Sequence, residues 1–154
     1  MLGMPVQALR ELRSIDHRQP VAFEWHRLRG LILRSQERHE EALGDLERAH
    51  QLQPEHIDVL MALAWCYKRT NQLARSIEAT QAAHAVQPEE PILLYNLACY
   101  HSLAGDSELA LSWLARAFRM SPGLVSLVAG ESDFDPLRDD SRFHELLRMV
   151  QAPG

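Results

Sequence analysis

The sequence predicts an all-α solenoid of antiparallel helix pairs, and three observations predict it. Pro20, Pro54, Pro88 and Pro122 stand 34 residues apart. Small residues recur at the same step in three columns: Gly30, Ala64 and Ala98; Ala8, Ala42, Ser76 and Ala110; Ala49, Ala83 and Ala117, with Ile15 a large member. Between them, large apolar residues are spaced by three and four, the period of a helix face that packs on a neighbour.

Each element follows from these columns. Leu9 and Leu12, Leu43 and Leu46, Ile77, and Leu111 and Leu114 mark the second helix of successive pairs. Leu60, Leu63 and Tyr67, then Leu94 and Leu97, mark the first. Small side chains at fixed places let helix backbones approach to the ~8 Å lower limit of interaxial distance. Asn71 and Gly105 share the column between the two helices of a pair, and both accept the left-handed backbone that ends a helix. Glu37 holds that column in the first pair and suits it less well. The prolines sit in the turns "LQPE" and "VQPE" that lead to the next pair, with Leu52 and Val86 expected to pack inward. Arg29 stands where Leu63 and Leu97 stand, while Trp25 and Leu28 come one residue early, which predicts a slightly rotated first helix. In the tail, Phe143, Leu146, Leu147 and Val150 form one apolar stripe behind a capping Asp140. This predicts a helix over the flank of the last pair, with Leu124 to Val128 a short helix or turn and Phe134 and Leu137 tucked beneath.

Composition limits the function. The 154 residues are 46% hydrophobic and 24% charged, as in an ordinary folded domain. The net charge of −5 argues against nucleic acid as a partner, because phosphate binding needs clustered Lys and Arg. No apolar run approaches the ~20 residues that span a bilayer, and charges at Arg10, Glu11 and Arg13 interrupt the start, so no membrane association and a cytoplasmic location are expected. Cys66 and Cys99 make neither a disulfide framework nor a zinc spacing. His50 and His84 share a column whose helices lie too far apart for one ion, so no metal and no cofactor are expected. There is no Gly-rich phosphate loop and no nucleophile elbow, and the chain reads as no enzyme.

A 34-residue helix-turn-helix unit with these small and proline columns resembles the tetratricopeptide repeat family. Full units are drawn at 23–56, 57–90 and 91–124, with 4–19 matching only the second helix of a unit and 125–152 forming a C-terminal cap, all in one domain. The stretch "YNLACYHSLAGDSELALSWLARAF" followed by "DFDPLRDDSRFHELL" is similar to the closing repeat and cap of bacterial members. The resemblance implies a right-handed superhelical solenoid whose first helices line a concave groove that carries ligand recognition. Carried onto this chain, the groove columns are Glu24, Arg27, Leu31 and Arg34; Asp58, Met61, Ala62, Trp65, Lys68 and Arg69; and Ile92, Tyr95, Asn96, Cys99 and Ser102. Leu31, Met61, Trp65 and Tyr95 suit an apolar anchor, and Arg27, Arg34, Lys68 and Arg69 suit an acidic peptide or a carboxylate.

The function so implied is a protein-interaction scaffold that takes a peptide or helical segment in its groove. One rival is a secretion-type chaperone for an apolar segment. Another is an assembly unit that self-associates through its uncovered N-terminal helix.

Overall fold

A computed structural model of the chain describes residues 19–152. They form α1 (Gln19–Ser35), α2 (His39–Leu52), α3 (Ile57–Arg69), α4 (Leu73–Val86), α5 (Pro91–Leu103) and α6 (Ser107–Met120). Two 3-10 helices, Pro122–Gly130 and Ser132–Leu137, lead to the final helix α7 (Ser141–Gln151). No strand occurs among the described residues, and the fold is the all-α solenoid of helix pairs that the 34-residue period predicts. The half unit expected at 4–19 falls outside the described residues except for Gln19, and so does self-association through it. Two compact units divide the chain, Met1–Ala79 and Thr80–Gly154.

In the first unit α1 packs on α2, and α2 on α3. Phe23, Leu33, Leu46, Val59, Leu60 and Leu63 fill the core, and Ala42 and Ala49 sit in it fully buried. Gly30 shows what its column does: a Cβ there would lie 2.7 Å from Cγ and Cδ2 of Leu46. Only a residue without a side chain lets α1 approach α2 so closely. Arg29 departs from the apolar column for a reason on the facing helix. Asp45 of α2 is 8% exposed, and its carboxylate meets His26 Nδ1 at 2.9 Å and Arg29 Nε at 3.4 Å. A buried carboxylate needs such partners. Leu28, one residue away, is instead 38% exposed. In α4, Ser76 takes an alanine column because its hydroxyl donates to the Ala64 carbonyl at 2.8 Å.

The turn inside each pair is the same in chemical detail. Glu37, Asn71 and Gly105 have φ of 60°, 60° and 83°. After each, the next residue's N–H donates back five residues to close the helix: Arg38 to Leu33, Gln72 to Tyr67 and Asp106 to His101, at 3.0, 2.8 and 3.0 Å. This is the Schellman closure, and Glu37 adopts it despite its side chain. Between pairs the chain also repeats itself, with N–H of Gln53, Gln87 and Ser121 donating to Ala49, Ala83 and Ala117 at 2.8–2.9 Å. Leu52 is half-buried, but Val86, expected to pack inward, is 40% exposed.

In the second unit α5 packs on α6, α6 on the first 3-10 helix, and α5 on the second. Leu93, Leu94, Leu97, Leu114 and Phe118 form the core of the pair, which Val128, Phe134, Leu137 and Phe143 extend into the tail. The Phe134 ring meets Tyr95 edge-on at 5.4 Å and Phe143 at 5.9 Å. Burying one such ring contributes ~1.5–3 kcal/mol. Arg138 ties the segment down, its Nη2 donating to the carbonyls of Val128 and Glu131 at 2.7 and 2.9 Å. Asp140 accepts the Arg142 N–H at 2.9 Å and so caps α7, as its position predicts. The cap helix lies half in solvent: Leu146, Leu147 and Val150 are half-buried.

Candidate ligand-binding surface

The residues expected to face a ligand separate into three groups. The first is committed to local pairs. Arg27, 21% exposed, donates through Nη2 and Nε to the Glu24 carboxylate at 2.8, 3.2 and 3.3 Å. The pair lies three residues apart on α1, the spacing that brings helical side chains together. These hydrogen bonds hold the Glu24 carboxyl below its usual range and push Arg27 up. A guanidinium already held twice has little left for a ligand. Asp58 is exposed, while Leu31 and Met61 are half-buried between α1 and α3. Ala62 is fully buried and faces the core.

The second group converges. At the C-terminal ends of α1 and α3, Arg34, Trp65 and Arg69 line a pocket of about 440 Å³ with Ser35, Glu37 and His39. The indole of Trp65, 38% exposed, carries Arg69 Cζ 4.7 Å and Lys68 Nζ 5.2 Å from its centroid. Such cation–π contacts contribute ~0.5–1 kcal/mol at an exposed site and fix where the charges point. Neither Arg34 nor Arg69 forms an ion pair among the described residues. Arg34 also reaches Cys66, whose thiol burial pushes up to about 11 while the guanidinium pulls it the other way. That thiol stays protonated at neutral pH and is no nucleophile. The pocket therefore offers an aromatic face, two guanidiniums and one imidazole, against the single carboxylate of Glu37. Glu37 and His39 escaped the sequence reading because they flank the turn rather than lie on a first helix.

The third group, in the second unit, is covered. Tyr95, Cys99 and Ser102, expected on a ligand-facing surface, are 3%, 3% and 1% exposed. The second 3-10 helix lies against α5 and takes the surface that a ligand was expected to use. Only Asn96 and Ile92 keep partial exposure.

Two tetratricopeptide repeat models match the chain, at residues 33–98 and 6–57, and together they run from 6 to 98. The chain belongs to the tetratricopeptide repeat family. The repeat columns, the Schellman turns and the helix pairs described above are that family's unit in this sequence. A mouse relative named protein O-mannosyl-transferase TMTC1 is 25% identical over 156 residues, which is 99% of this chain and 16% of the relative. The chain thus spans about one sixth of the length of the curated relative it matches. No helix among the described residues is long and apolar enough to cross a membrane. Tetratricopeptide repeats generally serve protein–protein interaction and are typically non-catalytic.

Proposed function

We propose that this chain is a non-catalytic scaffold that binds a protein segment carrying acidic residues beside an apolar one, at the surface formed by Arg34, Trp65, Lys68 and Arg69. The observation that carries this reading is the 440 Å³ pocket beside a half-exposed indole flanked by cations. Pockets of this size take one or two side chains, and Trp and Arg are the residue types that dominate binding energy where they meet a partner. The O-mannosyl transfer in the mouse relative's name is not carried over, since the chain matches 16% of that protein.

The test uses labelled peptides of one length in three sets: acidic with an aliphatic or aromatic residue, the same with inverted charge, and uncharged apolar. The first set should bind most tightly and weaken as salt rises. Trp65→Ala with Arg69→Glu should reduce its affinity at least tenfold while the fold is kept. Preference for the uncharged set, unaffected by salt, would move the reading to a chaperone for apolar segments. Equal binding by wild type and double variant would sink it.

A further inference from the structure

Where the second 3-10 helix meets α5, Cys99, Glu131 and Asp133 bring a thiol and two carboxylates together, with ligand atoms within 4.8 Å of one another. Cys99 and Asp133 are 3% and 5% exposed, and Glu131 is half-buried. One turn before Cys99 on α5 lies Tyr95, 3% exposed, and its buried hydroxyl has no hydrogen-bond partner. Cys99, Glu131 and Asp133 all act electrostatically on that phenol. The Ser102 hydroxyl, three residues beyond Cys99, is likewise buried without a partner. A satisfied hydrophobic seam would not leave a phenol hydroxyl orphaned next to two carboxylates.

We propose that Cys99, Glu131 and Asp133 hold one divalent cation of the zinc type, which clips the C-terminal cap to α5. One thiolate with two carboxylates is a mixed soft and hard donor set that suits zinc and its neighbours, whereas magnesium and calcium take oxygen shells. Zinc accepts sulfur at ~2.3 Å and carboxylate oxygen at ~2.0–2.2 Å in a tetrahedron. The Tyr95 hydroxyl then faces the fourth position and hydrogen-bonds a water there. The supporting bonds are in place: Asp133 N–H donates to the Glu131 carboxylate at 3.1 Å, and Arg138 holds the Glu131 carbonyl at 2.9 Å. Binding replaces the S–H bond of Cys99 with a sulfur–metal bond and releases one proton to solvent. No electron is transferred. The spacing hides the site from sequence patterns, because one ligand lies on a helix and two lie 32 and 34 residues later in a non-repeating tail.

Cobalt titration of the full chain tests this, because a thiolate ligand gives a near-ultraviolet charge-transfer band that histidine ligands do not. The expected result is one equivalent of cobalt with that band, displaced by zinc, and a higher melting temperature with zinc present. Cys66→Ser should keep the band and Cys99→Ser should lose it. Because Cys99→Ser lies in the core, Glu131→Gln at a half-buried position is the second variant, expected to keep its helical circular dichroism and bind cobalt at least tenfold more weakly. A folded wild-type chain with no charge-transfer band overturns the proposal. So does a band that survives Cys99→Ser, or cobalt uptake by histidines alone that Glu131→Gln leaves unchanged.

Discussion

Leu31, Trp65 and Cys99 occupy one repeat column, each 34 residues after the last, yet Trp65 is 38% exposed in the first unit and Cys99 3% in the second. Met61 and Tyr95 contrast in the same way, half-buried against 3% exposed. The helices that carry them are the same length and end in the same turn. What differs is the segment that follows. In the second unit the second 3-10 helix lies against α5, and the column that holds an indole in cations upstream becomes the floor of a core. A repeat column sets which way a side chain points, and the neighbour laid over it sets whether anything can reach it.

The largest test of this comparison removes the cover. Phe134→Ala deletes the ring between Tyr95 and Phe143 and should cost ~3–5 kcal/mol in chemical denaturation. In a Cys66→Ser background it should also make Cys99 react with a thiol reagent under native conditions. A Cys99 that stays unreactive would mean that something other than the cap buries α5.

Next in size is binding at the first unit. Trp65→Ala alone should lose ~2 kcal/mol of peptide affinity if Trp65 is the anchor, with the melting temperature little changed because the indole is half in solvent. Arg27→Ala is the matching control: an exposed pair three residues apart contributes ~0.3–0.5 kcal/mol to stability, and peptide affinity should not move.

A third variant probes the close approach that sets the α1 face. Gly30→Ala places a Cβ 2.7 Å from the Leu46 side chain. Overpacking of ~1–3 kcal/mol should outweigh the ~1 kcal/mol gained in helix propensity, giving a net loss of stability in urea. Gain instead of loss would show that α1 and α2 separate freely.

The smallest effect is in pH. His84 packs edge-on to Trp113 at 5.3 Å, and burial first, then Arg116, lower its pKa from the usual 6.5. Protonation is therefore harder in the folded state. Its stabilising share is present above pH 6.5 and falls away as pH drops through that value toward the lower folded pKa. The second unit should melt slightly earlier at pH 5.5 than at pH 7.5, and His84→Gln should flatten this difference.

Much of this was legible in the sequence because it is periodic. The proline register, the small columns and the stripe behind Asp140 are local signals, and Ala42, Ala49, Ala83 and Ala117 are all 0% exposed where their columns place them. Glu24 and Arg27 pair at a spacing of three, although the sequence reading assigned Arg27 to an acidic ligand. The burial of Tyr95, Cys99 and Ser102 was not, since what covers them lies 30 or more residues downstream and follows no period. Arg29 looked like a defect in the core column until Asp45 on the next helix explained it. Phe23 and Leu33, both core residues, were passed over because the first helix was read as rotated, with Trp25 and Leu28 as its markers.

The three Schellman turns have a consequence for how such a chain changes over generations. Their closing hydrogen bonds are made by backbone alone, and Glu37, Asn71 and Gly105 all adopt the left-handed turn they need. A duplication, deletion or exchange with its break at these residues joins the first helix of one pair to the second helix of another through an unchanged backbone turn. The turn is thus a place where repeats can be added or traded in register, and the surface chemistry beside it, such as Arg34 and His39, is free to diverge with each new copy.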